Sequence, residues 1–145
     1  MAEKANQFGQ FNLKPEIITA LSAIGFYEPT PVQAKLIPDI LQGRDVVGQS
    51  QTGSGKTHTF LIPILNALEQ KKNYVQAVIT TPSRELAAQI TLATKLFAEQ
   101  FNQNITISEF VGGTDKQRQI KHLEHQQPQI AVSYTHLTLP TTERV

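Results

Sequence analysis

Residues 50–57 read Ser-Gln-Thr-Gly-Ser-Gly-Lys-Thr and follow a short apolar run, residues 45–48, that predicts a strand. Residues 58–68 are apolar at helical spacing and predict a helix. A glycine-rich turn between a strand and a helix can wrap around an anion, because its successive N–H groups point inward. The dipole at the helix N-terminus strengthens that attraction. The stretch therefore predicts a phosphate site rather than a simple linking turn.

Two side chains at the end of this loop can do chemistry on a phosphorylated ligand. Lys56 can bring its charge to the β and γ phosphates, and the hydroxyl of Thr57 can ligate Mg²⁺. The other residues predicted to surround the phosphates are Ser50, Gln51, Thr52, Gly53, Ser54 and Gly55.

Composition limits the classes of protein to which this chain can belong. Its 145 residues are 39% hydrophobic and 17% charged, which is typical of one globular domain. It contains no cysteine, and its first residues lack the apolar core of a signal peptide, so a cytoplasmic protein without disulfides is expected. No apolar run approaches the ~20 residues that span a membrane. The net charge of +1 gives no sign of nucleic-acid binding, which must be argued from local sites.

The elements around the loop alternate between helix and strand. The predicted helices cover residues 14–24, 31–41, 84–100 and 115–125, and the predicted strands cover 74–80, 105–111 and a segment from 129 onward. We expect Gly25 to end the first helix and residues 74–80 to be buried on both faces. Such alternation predicts βαβ units and a parallel sheet with flanking helices. The face of the 84–100 helix predicted to be buried carries Leu86, Ile90, Ala93 and Phe97.

Two further turns follow predicted strands, where open α/β sheets bind ligands. In residues 81–85, Thr81 or Ser83 could cap the next helix, or Arg84 and backbone amides could grip phosphates of a nucleic-acid strand. The two interpretations are about equally favoured by the residues alone. The pair Gly112 and Gly113 is more often only a tight turn, although it would let a phosphodiester backbone approach closely. The charged residues after it are expected to form a solvated helix face.

Gln33 also has two interpretations. It lies three residues after Thr30, which is the spacing of a capping box. Alternatively, its amide offers a donor beside an acceptor, which suits the edge of adenine, and Phe26 or Phe8 could stack on the base. Spacing alone favours the cap.

Taken together, the motifs resemble the first RecA-like domain of a DEAD-box ATP-dependent RNA helicase, over about residues 8–132. Residues 25–33 are similar to the Q motif of that family, and Phe8 matches its isolated aromatic seventeen positions before Gly25. Residues 50–57 resemble motif I, with Ser50 where alanine is usual. Residues 81–87 resemble motif Ia, with serine at position 83 where threonine is usual, and the glycine pair at 112–113 resembles the GG motif.

The resemblance implies an α/β fold of the P-loop NTPase type, with ATP and Mg²⁺ as ligands. It implies that Gln33 reads adenine, that Phe26 packs on the base with Phe8 nearby, and that Lys56 and Thr57 serve catalysis. RNA is the implied partner, bound through sugar and phosphate with little sequence preference. The implied RNA contacts are Pro82, Arg84, Gly112 and Gly113.

Agreement with the family stops after Val132. The family would continue into Thr-Pro-Gly-Arg, then Asp-Glu-Ala-Asp and Ser-Ala-Thr motifs, which this sequence lacks. We therefore expect residues 1–132 to be the start of the ATP-binding domain, incomplete at its C-terminus, and residues 133–145 to be foreign. Residues 132–137 can be back-translated into a transposase-adapter end used in sequencing libraries, which favours a read-through assembly artefact. The alternative is a natural or engineered truncation, and resequencing the locus distinguishes the two.

The chain alone is expected to hydrolyse ATP very poorly and not to unwind RNA, because metal-assisted hydrolysis needs carboxylates that hold Mg²⁺ and activate water. Two alternatives to a helicase fragment are a regulatory nucleotide-binding P-loop domain without helicase activity and an inert fragment.

Overall fold

The computed structural model describes residues 5–50, 55–100, 105–111, 116–125 and 127–134. The chain divides into two compact units. The first unit comprises Met1–Glu69 and Leu96–Asn104, and the second comprises Gln70–Lys95 and Ile105–Val145. No helix in these described ranges is both long and apolar enough to cross a bilayer.

The first unit is helical. It contains a short 3₁₀ helix, Gln7–Phe11, followed by α1 (Pro15–Ala23), α2 (Pro31–Leu41) and α3 (Lys56–Ala67). It also contains the C-terminal end of α4 (Arg84–Ala98), which passes from one unit into the other. The fully buried apolar side chains of this unit include Phe8, Ala20, Leu21, Ile37, Leu61 and Ile62.

The turn between α1 and α2 is built as the sequence predicts. Gly25 has a φ of +84°, a left-handed conformation that favours glycine. Its N–H donates to the carbonyl of Ser22 at 3.1 Å, and the N–H of Phe26 donates to the carbonyl of Leu21 at 2.8 Å. These two bonds form a Schellman motif, which satisfies the last carbonyls of α1 and fixes the backbone of Phe26.

The predicted strand at residues 45–48 is wrong. Residues 44–50 have no regular secondary structure, and the side chain of Val47 is 97% exposed. A strand needs a neighbour to pair its backbone groups, and the sheet in the described part of the chain consists of three other strands.

The second unit contains that sheet. Its strands are β1 (Ala77–Thr81), β2 (Ile107–Val111) and β3 (Ile130–Tyr134), all parallel, in the order β1-β3-β2. The connecting helices are α4 and α5 (Lys116–His125). The predicted βαβ architecture with a parallel sheet and flanking helices is confirmed.

The central and edge strands differ in burial. β3 buries Ile130, Ala131 and Val132, as expected for the middle strand. In β1 the side chain of Val78 is 63% exposed, so the prediction that this strand is buried on both faces is wrong. The reason is that burial of a strand face depends on what packs against it, and the face that carries Val78 is left open to solvent.

Two further expectations concern the end of β3 and the buried face of α4. β3 runs through Ser133 and Tyr134, so the domain boundary drawn after Val132 falls inside a strand; the foreign origin of the tail stays a prediction. On α4, Leu86 is 37% exposed, whereas Thr91 and Thr94 are buried with their hydroxyls donating to carbonyls of the preceding turn, those of Ala87 and Ile90. The predicted buried face is therefore correct at Ile90 and Phe97 but wrong at Leu86.

Candidate functional site

A cleft of about 360 Å³ lies in the first unit beside the start of α3. It brings together parts of the chain that the sequence analysis singled out separately, namely the α1–α2 turn, the N-terminus of α2 and the end of the phosphate loop. Its lining residues are Gly25, Phe26, Tyr27, Glu28, Thr30, Gln33 and Gly55.

Gln33 joins two of these parts. Its side-chain oxygen accepts a hydrogen bond from the N–H of Thr30 at 2.9 Å, and the hydroxyl of Thr30 accepts from the N–H of Gln33, which confirms the predicted capping box. Its side-chain nitrogen donates to the carbonyl of Gly55 at 3.2 Å. The side chain is 2% exposed. The cap is therefore real, and the same amide also bonds Gly55, the N-cap residue of α3.

The carbonyl that accepts this bond belongs to Gly55, the N-cap residue of α3. Its carbonyl accepts hydrogen bonds from the side chain of Gln33, from the N–H of Thr59 at 3.2 Å and from the hydroxyl of Thr59 at 3.0 Å. Its φ is +85°, and a Cβ at this position would lie 2.6 Å from the side-chain nitrogen of Gln33. Both the backbone conformation and the close approach therefore require glycine here.

Lys56 and Thr57 begin α3 directly after Gly55. Lys56 is exposed, whereas Thr57 is half-buried. The first amides of an α-helix have no partner within the helix, so the start of α3 presents N–H donors together with the positive end of the helix dipole. This end of the loop can therefore attract an anion.

Asn6 and Gln7, which precede α1, form hydrogen bonds with α1 and the α1–α2 turn that the sequence analysis missed. The side-chain nitrogen of Asn6 donates to the carbonyl of Phe26 at 2.7 Å and to the hydroxyl of Ser22 at 2.9 Å. The N–H of Gln7 donates to the carbonyl of Tyr27 at 2.8 Å. Asparagine near a 3₁₀ start could have signalled the local cap, but tertiary bonds of this kind have no sequence signature.

Phe8 anchors that segment. Its side chain is fully buried, its ring contacts that of Phe11 edge-on at 6.1 Å between centroids, and it is not among the residues that line the cleft. Phe26, by contrast, is half-buried and lines the cleft. The structure thus brings Phe26, Gln33 and Gly55 together in the lining of the cleft, whereas Phe8 is buried outside that lining.

His58 lies between two aromatic rings. The centroid of its imidazole is 4.6 Å from that of Phe26 and 5.7 Å from that of Phe97, with interplanar angles of 66° and 68°. Burial lowers the pKa of His58 from its ordinary value of 6.5, because desolvation disfavours the charged imidazolium.

The second unit carries the other candidate site at the end of β1. The hydroxyl of Thr81 donates to the carbonyl of Ser83 at 2.9 Å, and the hydroxyl of Ser83 accepts from the N–H of Leu86 at 3.1 Å. Ser83 is therefore the cap of α4, as one interpretation of the sequence predicted. Pro82 and Arg84 are exposed beside it.

Several predicted residues lie outside the part of the chain that the structure describes: Gln51, Thr52, Gly53, Ser54, Gly112 and Gly113. Ser50 is described and half-buried. Among the described residues, no group of three or more His, Cys, Asp or Glu side chains could hold a metal ion.

Comparisons with known proteins agree with this arrangement. The family model "DEAD/DEAH box helicase" matches residues 30–143. The chain is 52% identical over 129 residues to the DEAD-box ATP-dependent RNA helicase CshB of Listeria monocytogenes, covering 89% of this chain and 29% of that protein. It is 48% identical to CshB of Bacillus subtilis, covering 85% of this chain and 28% of that protein. The chain thus spans about three tenths of the length of these relatives.

Solved structures give the same family. The crystal structure of a DEAD box protein from the hyperthermophile Methanococcus jannaschii matches with a TM-score of 0.77 and 36% identity, covering 88% of this chain and 34% of that one. A DEAD-box helicase bound to ssRNA and UDP-BeF matches with a TM-score of 0.73 and 34% identity, covering 84% of this chain and 26% of that one. With a family model that matches most of its length, the chain belongs to the DEAD/DEAH box helicase family.

Proposed function

We propose that this chain is the nucleotide-binding and RNA-contacting part of an ATP-dependent RNA helicase. The observation that carries the proposal is the hydrogen bond from Gln33 to the carbonyl of Gly55, because it joins a side chain suited to adenine to the end of the phosphate loop. The names of the relatives and the ssRNA bound to one structural neighbour support it.

The base would lie in the cleft lined by Phe26 and Gln33. A glutamine amide has two N–H donors and two acceptor lone pairs, and Gln33 uses one of each for Gly55 and Thr30. One donor and one acceptor therefore remain, which matches the N7 acceptor and N6 donor of adenine. The ring of Phe26 supplies an apolar surface for the base.

The phosphates would lie at the start of α3. Its first amides and the ammonium of Lys56 attract the β and γ phosphates, and the hydroxyl of Thr57 would help to hold Mg²⁺. When bound, Mg²⁺ neutralises phosphate charge. The loop residues Ser50, Gln51, Thr52, Gly53 and Ser54 are proposed to complete the cradle.

The RNA backbone would be bound at the carboxyl ends of β1 and β2. Thr81 and Val111 both pair in register with Tyr134, so these two strands end level with one another on either side of β3. Strand spacing separates the two ends by about 10 Å. Pro82 and Arg84 come just after β1 in the sequence, and Gly112 and Gly113 come just after β2, so the four proposed contacts follow strands that end at the same level. Backbone contacts imply little sequence preference.

The chain alone is proposed to bind nucleotide without significant hydrolysis or unwinding. Its sequence contains no Asp-Glu-Ala-Asp motif, and phosphoryl transfer to water needs carboxylates that hold Mg²⁺ and position the water. RNA-stimulated ATPase activity in the full-length gene product, absent from this chain, would support the assignment. Absence of that activity from the full-length product would favour a regulatory nucleotide-binding domain.

The nucleotide proposal is tested by titrating ATP with Mg²⁺ into the chain by calorimetry. Lys56→Ala should weaken ATP binding about 10- to 100-fold, because a charge-assisted hydrogen bond to phosphate is lost. Lys35→Ala is the matched control, since Lys35 is an exposed lysine of α2 that does not line the cleft. No binding at millimolar ATP in the wild-type chain, or equal losses in both variants, would contradict the proposal.

The RNA proposal is tested with fluorescent single-stranded RNAs of several sequences. Arg84→Gln should weaken binding about threefold to tenfold for every sequence and should reduce the salt slope by about 0.7, as expected for one phosphate contact. Lys95→Gln removes a charge from the opposite end of the same helix and should have little effect. Similar losses in both variants would indicate only a diffuse charge effect.

A further inference from the structure

The backbone of Phe26 is fixed by hydrogen bonds, whereas the orientation of its ring depends on neighbouring side chains. The Schellman bond to Leu21 and the bond from Asn6 hold the N–H and carbonyl of this residue. The half-buried ring then has two side-chain torsions to settle. The ring of Phe26 contacts the imidazole of His58, with 4.6 Å between the ring centroids and 66° between the ring planes.

The ring of His58 also contacts a second aromatic ring, that of Phe97. The ring of Phe97, which is 1% exposed, contacts the imidazole edge-on at 5.7 Å. Both contacts have the distance and the tilt that aromatic pairs prefer. The three rings, which we call the ring cluster, therefore run from the buried end of α4 through α3 to the wall of the cleft.

The chain position of His58 gives the cluster its significance. His58 follows Thr57 directly, in the first turn of α3, where the phosphates are proposed to bind. We infer that His58 is a positioning residue that holds the ring of Phe26 against the base and so connects the base-binding wall of the cleft to the phosphate-binding end of α3. This inference rests on the proposed nucleotide function. Nothing in the proposed chemistry requires His58 to touch the nucleotide.

Three variants test the inference in the complete 145-residue chain. His58→Ala removes the ring contact, His58→Phe restores an aromatic ring, and Phe26→Ala removes the ring that is positioned. ATP and inorganic tripolyphosphate are titrated separately by calorimetry, since tripolyphosphate carries no base. We expect His58→Ala to weaken ATP binding about threefold to tenfold, to leave tripolyphosphate binding unchanged, and to be rescued by His58→Phe.

The double variant separates positioning from general stability. If His58 acts through Phe26, adding His58→Ala to Phe26→Ala causes no further loss of ATP affinity. Equal weakening of ATP and tripolyphosphate, an additive loss in the double variant, or no effect of His58→Ala on ATP would each overturn the inference. If His58→Ala does not fold, His58→Phe must still bind ATP like the wild type. A wild-type chain that binds neither ligand would instead contradict the proposed function itself.

Discussion

The two candidate sites use their side chains in opposite ways. In the first unit, Gln33 is 2% exposed and both ends of its amide already hold the fold together, bonding Thr30 and Gly55. In the second unit, Ser83 caps α4, and Pro82 and Arg84 are exposed beside it. At the cleft, one side chain is therefore proposed to serve both binding and stability, whereas at the end of β1 the cap and the proposed RNA contacts belong to different residues. Substitutions can test this difference directly.

The largest effect is expected from Gly55→Ala. An L-residue at a φ of +85° costs about 1–2 kcal/mol, and the new Cβ would also collide with the side-chain nitrogen of Gln33. We expect a loss of more than about 3 kcal/mol in the free energy of unfolding and a loss of ATP binding. Gly43→Ala is the matched control, because Gly43 has a φ of +82° and a Cβ added there would meet no atom within 4 Å. Denaturant unfolding that gives the same loss for both variants would show that the contact with Gln33 is unimportant.

The next effect is expected from Gln33→Ala. It removes one half of the capping box and the bond to Gly55, so we expect a loss of about 2–3 kcal/mol in unfolding free energy. Thr30→Ala removes the other half of the box and should cost about 1 kcal/mol. ATP affinity should fall clearly more in Gln33→Ala than in Thr30→Ala. Equal affinities in the two variants would mean that the link to Gly55 does not serve binding.

A smaller effect distinguishes neighbouring residues in the second unit. Ser83→Ala should lower the free energy of unfolding by about 1 kcal/mol, because α4 loses its N-cap. Arg84→Gln should weaken RNA binding, because the proposed phosphate contact is lost, whereas Ser83→Ala should weaken it less. Chemical denaturation and RNA titration on the two variants check this separation. Equal losses of RNA affinity in the two variants would show that the two roles are not separable.

The smallest effect is a pH dependence from His58. Its pKa is lowered in the folded state, so the unfolded chain binds more protons below about pH 6.5. The stability contributed by the neutral ring is fully present above that pH and is lost as the pH falls through the lowered folded-state pKa. The wild type should therefore lose unfolding free energy relative to His58→Phe as the pH is lowered from about 7.5 to about 5.5. If the difference in unfolding free energy between the two proteins stays constant over this range, the lowered pKa of His58 is contradicted.

Local signals in the sequence were enough for the caps and the architecture. The spacing of Thr30 and Gln33 predicted the capping box, and Gly25 predicted the end of α1, because both features depend on residues a few positions apart. The alternation of helices and strands predicted the parallel sheet.

Features that depend on distant neighbours could not be predicted in this way. An apolar run such as residues 45–48 does not reveal whether another strand pairs with it, and a run of β-forming residues does not reveal which face stays exposed, as at Val78. The buried hydroxyls of Thr91 and Thr94 escape a hydrophobic pattern because carbonyls of their own helix satisfy them. The bond from Gln33 to Gly55 spans 22 residues and has no local signature.

The central claim is that the amide of Gln33, while bonded to Gly55, reads the base of a nucleotide whose phosphates lie at the start of α3. The most direct test is a comparison of the dissociation constants of ATP and GTP for the wild-type chain, measured by calorimetry with Mg²⁺. Guanine presents an acceptor where adenine presents the N6 donor, so one hydrogen bond would be replaced by an unfavourable contact. We predict that ATP binds at least about tenfold more tightly than GTP. Equal affinities for ATP and GTP would contradict the claim.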